Sequence, residues 1–293
     1  MLACLRNLLL ETLLDITIQQ HDSTSSQNDG DVYLPTVDGD FLLSVSSELT
    51  CQGRFVRMPV IIGGRCNPFY ASEYNYGGVF THQITIENLL GLYPIEDFNP
   101  NTKANLSAEF YHTAQVFWDI LLACPSFLFG HAMVDEFTED DSYEAPDGSV
   151  LVPPVFLYSF NQTIFTPSLE SLGLAGLGVI HTSELVYIYA NFTLYNTTGV
   201  IHPTSSDFTL LNQVSRSWSS FATTGRPTIR GKDTLQEWKG SYQPGAEMMD
   251  VSVYVVGGSD LGMSTSTEFD SHDRSIIIAT FIFVKFHKIN PLR

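Results

Sequence analysis

At 293 residues with 44% hydrophobic content, the chain is long enough for one large domain with its own core. Its 14 basic and 32 acidic residues leave a formal charge of -18, which argues against nucleic acid and anionic membrane surfaces as partners, since both select clustered Lys and Arg. The cysteines are Cys4, Cys51, Cys66 and Cys124, none in a Cys-x-x-Cys pair, so no metal site of the structural zinc type is expected.

In chain order, Leu5 to Ile18 reads as a helix with Leu10, Leu13 and Leu14 on one face. Ser23 to Asp31 is a polar loop. Pro59 to Gly63 is a short apolar run closed by glycine, the pattern of a buried parallel strand. Ala104 to Cys124 is a predicted helix with Phe110, Ala114, Phe117 and Leu121 at helical spacing, and Pro125 is expected to end it. The acidic run from Asp135 to Glu144 lacks the alternation and glycine of a calcium loop and reads as solvated. Val155 to Phe160 is a second buried-strand pattern.

After it comes a loop rich in Gly and Leu, then Gly178-Val179-Ile180-His181-Thr182-Ser183-Glu184-Leu185-Val186-Tyr187. Thr182 or Ser183 is read as N-cap of a helix bearing Leu185, Ile188 and Tyr189. A histidine at a loop mouth beside a helix start suits a general base, and it suits a satisfied structural residue as well. Glu184 reads as a first-turn charge. Asp207 to Ala222 is a further predicted helix, with Leu211, Val214, Trp218 and Phe221 on one face and Gly225 and Pro227 stopping it. Trp218 is read as core, and the other histidines as surface or satisfied residues. Strands alternating with helices argue an α/β layer fold.

Sequons at Asn105, Asn161, Asn191 and Asn196, candidate N-glycosylation sites, lean with the cysteines toward a secreted protein. Met1 to Leu14 does not read as a signal peptide, because Arg6 is its only early cation and Glu11 interrupts the apolar run. Ser275 to Val284, the most apolar run, is too short to cross a bilayer.

Gly-Val-Ile-His-x-x-Glu-Leu around His181 resembles the histidine motif of the type-B carboxylesterase/lipase family, the cholinesterase-like α/β-hydrolases. Leu34-Pro35-Thr36-Val37-Asp38-Gly39-Asp40-Phe41 resembles the family's P-x-x-D-G segment, and Gly53 to Gly63 its G-x-F-x-x-x-P-x-x-x-G strand entry. Asp119 with Cys124-Pro125 is similar to D-x-x-F-x-C-P, and Trp218 to Pro227 is similar to W-x-x-F-A-x-T-G-x-P. Five motifs fall in register, from about Leu5 to about Gly262, and read most like fungal members.

The resemblance implies an incomplete α/β-hydrolase fold, with residues 1–262 as a partial esterase domain and 263–293 as a divergent tail. It implies hydrolysis of small-molecule or lipid esters without a cofactor, with His181 as the last member of a Ser-Glu-His triad. Glu73 is the only carboxylate between Gly63 and Phe80, where the family carries its acid, and it reads equally as a surface glutamate. No Gly-x-Ser-x-Gly turn and no glycine-rich oxyanion segment occur in the sequence. Gly257-Gly258-Ser259-Asp260-Leu261-Gly262 has similar composition, but it fails the spacing and follows the histidine. The cysteine that pairs with Cys124 in the family has no counterpart, since no cysteine follows Cys124. Two readings result: the C-terminal part of an esterase, inactive by itself and of the kind a truncated gene would give, or a non-catalytic binding or adhesion protein on the same fold.

Overall fold

The computed structural model describes residues 8–24, 37–64, 91, 93–134, 143–144, 150–151, 154–197, 199–243, 250–259 and 261–265. Glu73, Cys4, Cys66, the acidic run over 135–142 and the tail beyond 265 lie outside the described residues. The chain separates into two compact units, Met1–Gln52 and Gly53–Arg293.

In the first unit, helix α1 spans Leu10–Thr24. The expected helix therefore starts later and runs further, taking Ser23 and Thr24 out of the predicted polar loop; within it the Thr17 hydroxyl donates to the Leu13 carbonyl (2.8 Å). Asp38 Oδ1 accepts the backbone N–H groups of Asp40, Phe41 and Leu42, each at 3.0 Å, which builds the turn at Gly39 and holds the carboxyl below its usual range. Helix α2 spans Ser46–Cys51.

The second unit is built on a sheet. Strand β1 is Val60–Gly64, and a 3-10 turn covers Ile95–Asp97. Helix α3 spans Ala108–Trp118, a π-helical turn follows at Asp119–Ala123, and α4 spans Cys124–Val134. The short pair β2 (Tyr143–Glu144) and β3 (Val150–Leu151) precedes β4 (Val155–Phe160). Helices α5 (Thr166–Ser171), α6 (Leu185–Ile188), α7 (Phe192–Tyr195) and α8 (Ser205–Thr224) lead to β5 (Ser252–Val256) and β6 (Gly262–Thr265).

The sheet order is β1-β4-β5-β6, parallel except for the last pair. β4 is buried along its whole length because both faces are covered. Phe156, Tyr158 and Phe160 join a core with Val186, Tyr187, Leu211, Val214, Trp238 and Tyr254. Val155 and Leu157 point the other way, into a core with Phe127, Met133, Tyr242 and Val253. Where β4 and β5 are not yet in register, Ser241 fills the gap: Leu157 N–H donates to its Oγ (2.7 Å), and its own N–H donates to the Val155 carbonyl (2.7 Å). At Gly63, one residue before the end of β1, a Cβ would collide with the Tyr158 carbonyl oxygen, which explains the glycine there.

The helix expected over Ala104 to Cys124 is corrected at both ends. Residues 101–106 close a turn, with Leu106 N–H donating to the Asn101 carbonyl (3.1 Å), so the helix starts only after the Ser107 cap. Pro125 does not end it. The π-helical turn restarts the hydrogen-bond pattern, which places Pro125 in the first turn of α4, where its missing N–H costs nothing. Asp119, fully buried in that turn, accepts hydrogen bonds from the Tyr93 hydroxyl (2.7 Å) and Gln115 Nε2 (2.9 Å). α8 follows the expected pattern, with a Thr204–Asp207 capping box and a left-handed Gly225 at its end. Trp218 packs against the first core, as read.

Candidate active site

β1 and β4 run parallel with Gly64 beside Ser159, so the segments that leave them do so at the same end of the sheet. Clefts in α/β sheets form there, at the carboxyl ends of the strands. The segment after Gly64 carries Glu73 in the sequence; Glu73 itself lies outside the described residues. The segment after Phe160 carries His181 and is tied to β5 where Asn161 N–H donates to the Val256 carbonyl (2.8 Å).

The histidine loop is held along its length. The Tyr111 hydroxyl donates to the Gly176 carbonyl (2.8 Å), and Gly176 sits so close to Ala104 and Asn101 that no side chain fits in its left-handed conformation. Leu177 is buried, and Val179 packs on the first core. Ser183 is fully buried, whereas His181 is exposed above it. A side chain presented to solvent on an anchored loop is what a base for an incoming substrate requires.

The expected N-cap is corrected. Neither Thr182 nor Ser183 caps α6; Thr182 adopts φ 67° and donates its hydroxyl to the His181 carbonyl (2.6 Å). Glu184 occupies the N-cap position in a helical conformation, without a capping bond. Tyr189 is 70% exposed, outside the apolar face assigned to it. The Glu184 carboxyl is partly sunk, with Oε2 buried and lacking a hydrogen-bond partner among the described residues. Burial raises it above the usual carboxylate range, and the His181 charge acts in the opposite sense. Reading Glu184 as a first-turn charge missed this, because burial beneath a loop leaves no periodic signal.

The glycine run after β5 forms the connection between antiparallel strands, with Gly257 and Gly258 at φ 83° and 72°. It is not the strand-to-helix turn that exposes a nucleophile. His112 is satisfied on one side of its ring: it is buried between Tyr93 and Phe98 and hydrogen-bonds with the Tyr93 backbone, while its Nε2 has no hydrogen-bond partner among the described residues. No group of three or more His, Cys, Asp or Glu side chains with metal-binding geometry occurs among the described residues. Among the sequons, Asn105 and Asn191 are exposed. Asn196 is clamped at both ends of its amide to the backbone of Ile201 (3.0 and 3.1 Å), and Asn161 is partly buried against Gly258.

No helix among the described residues is long and apolar enough to cross a membrane. A secreted lipase of Arthroderma benhamiae is 34% identical over 92% of this chain and 46% of its own length. VdtD of Byssochlamys spectabilis, named as an inactive carboxylesterase-like protein, is 24% identical over 82% of this chain and 42% of its own. Among solved structures, a PNB esterase aligns with TM-score 0.58 and 16% identity, over 93% of this chain and 49% of its own. Aspergillus niger EstA aligns with TM-score 0.55 and 18% identity, over 86% and 45%. These structural matches give the α/β-hydrolase esterase fold, and the chain spans about half the length of the relatives it matches. The carboxylesterase family profile covers residues 1–253, and the chain belongs to the carboxylesterase family.

Proposed function

We propose that this chain carries the acid–base part of a carboxylic-ester hydrolase, with His181 as general base and acid and Glu73 as the carboxylate that orients it. The observation that carries the reading is the parallel pairing of β1 and β4, whose following segments leave the sheet together, one with Glu73 in its sequence and the other presenting His181. In ester hydrolysis through an acyl-enzyme, His181 takes the proton from a serine hydroxyl as it attacks the ester carbon, then returns it to the leaving alcohol. No Gly-x-Ser-x-Gly turn and no glycine-rich oxyanion segment occur in this sequence, and on this reading the 293 residues by themselves do not turn over esters. Residues 1–262 are assigned to the esterase portion, and Met263, Ser264 and Thr265 continue its sheet as part of β6 beside β5.

A hybrid joining this chain to the part of the Arthroderma lipase that it does not match tests the assignment. The hybrid is expected to hydrolyse esters, and His181→Ala to lower kcat by about a thousandfold or more. Glu73→Gln is expected to lower it as well. Undiminished hydrolysis by the His181→Ala hybrid contradicts the reading.

The secreted relative and the sequons together support export. Asn105 and Asn191 are the sites we assign to glycans, since both residues are exposed, Asn191 accepting the Leu194 N–H through Oδ1 (2.9 Å), while Asn196 holds its loop closed with both ends of its amide. Chain secreted from a eukaryotic host is expected to lose one glycan mass with each of Asn105→Gln and Asn191→Gln, and none with Asn196→Gln. The second reading, a non-catalytic protein on this fold, is favoured by the likeness to VdtD. It predicts that the hybrid stays inactive even when folded.

A further inference from the structure

His181 stands on an arch of backbone whose two feet are built differently. The downstream foot is local: Ser183 is fully buried, and its N–H donates to the Ile180 carbonyl (3.2 Å). The upstream foot is Gly176, and residues distant in the sequence hold it. The Tyr111 hydroxyl of α3 donates to the Gly176 carbonyl (2.8 Å), across 65 positions. Against the same glycine lies the turn over residues 101–106. A Cβ at Gly176 would come within 2.7 Å of the Ala104 Cβ, 3.0 Å of Asn101 Nδ2 and 3.1 Å of Leu106 Cδ1. Only glycine, here at φ 83°, lets the loop seat so closely on that turn.

Both supports of the upstream foot are themselves tied down. In the turn, Asn101 and Leu106 exchange backbone hydrogen bonds (2.9 and 3.1 Å), and Ala104 N–H donates to the Asn101 carbonyl (3.1 Å). In α3, the residue after Tyr111 is His112, wedged between the rings of Tyr93 (6.1 Å) and Phe98 (5.2 Å). Between the feet, Leu177 and Val179 contribute apolar packing, which carries no direction. A Cβ at Gly178 would meet nothing within 4 Å, and His181 is exposed. We propose that Tyr111 is a positioning residue for His181: through the Gly176 carbonyl its hydroxyl seats the upstream end of the arch on the 101–106 turn and so fixes where the imidazole stands. The functional consequence rests on the reading of His181 as the base. Tyr111 then touches neither substrate nor reacting atoms; it holds the base within the small displacement that proton transfer tolerates.

The test is amide hydrogen exchange in the 293-residue chain, read at Ser183 and Leu185, whose N–H groups bond to the Ile180 and Thr182 carbonyls (3.2 and 3.1 Å). Tyr111→Phe keeps the ring and removes the donor. It is expected to speed exchange at both amides about tenfold, the worth of one net hydrogen bond, while the amides of α8 keep their rates. Ala104→Leu keeps the hydroxyl but crowds Gly176 from the turn, and it is expected to speed the same two amides. Ala104 is only half-buried, so this variant decides the matter if Tyr111→Phe does not fold. In the hybrid with the Arthroderma portion, Tyr111→Phe is expected to lower kcat about tenfold or more with KM unchanged, a split that a bond serving stability alone would not give. Exchange that neither variant alters overturns the proposal, and so does an undiminished kcat in a hybrid whose hydrolysis depends on His181. Hydrolysis that depends on His181 with unaltered exchange keeps the base reading and removes only this role of Tyr111. Faster exchange with no such hydrolysis does the reverse: Tyr111 seats the loop, and the reading of His181 as the base fails.

Discussion

Helix α8 and helix α1 carry the same kind of stripe, apolar residues three and four positions apart. In α8, Leu211 and Val214 are buried and Trp218 and Phe221 pack onto the sheet core. In α1, Leu10 and Leu14 are 69% and 50% exposed. α8 is also closed at both ends, by the Thr204–Asp207 box and by Gly225. The stripe specifies that a helix forms, but the stability of that helix comes from what the stripe is packed against.

The largest expected effect tests this directly. Trp238 sits at the centre of the aromatic core, stacked on Tyr254 (5.0 Å) and edge-on to Phe156 (6.2 Å) and Tyr158 (6.1 Å). Trp238→Ala is expected to cost about 3–5 kcal/mol in urea unfolding. Leu14→Ala in α1 is expected to stay within about 0.5 kcal/mol. Comparable losses from the two would break the comparison.

A smaller effect sharpens it on the sheet side. Ser241→Ala leaves the buried Leu157 N–H without its acceptor and is expected to cost about 1–3 kcal/mol, read by the same unfolding midpoint. Removing the α8 cap with Thr204→Ala should cost about 1 kcal/mol. A cap loss as large as the Ser241 loss would mean that α8 depends on its own end more than on the sheet.

The smallest expected effect concerns acid. Burial holds the His112 imidazole below its ordinary range, while its hydrogen bond with the Tyr93 backbone and the charge of Glu109 oppose this. The folded chain therefore takes up this proton less readily than the unfolded one. Stability from His112 is fully present above about pH 6.5 and declines as the pH falls below it. His112→Phe is expected to flatten that decline in thermal melts recorded across the range.

Much of the sheet half was legible because its signals are local. Val155 to Phe160 is apolar at every position but Ser159, which fits a strand buried along its whole length, and α8 repeats its apolar residues at helical spacing up to a glycine stop. The π-helical turn was not legible. Pro125 reads as a terminator, and only the buried Asp119 with its two donors shows that the chain restarts a helix there. At the site, sequence placed His181 at a loop mouth but gave Thr182 or Ser183 the cap, because capping propensity does not register the left-handed backbone at Thr182. The burial of the Glu184 Oε2 atom is a tertiary effect, which no spacing within the loop encodes.

The central claim is that this chain holds the base of an esterase without its nucleophile. It is tested most directly by treating the purified, folded chain with a fluorophosphonate and measuring its intact mass, beside His181→Ala. The account predicts no adduct on either protein. A stoichiometric adduct on wild type that is lost in His181→Ala would contradict it, because the chain would then contain a serine activated by His181.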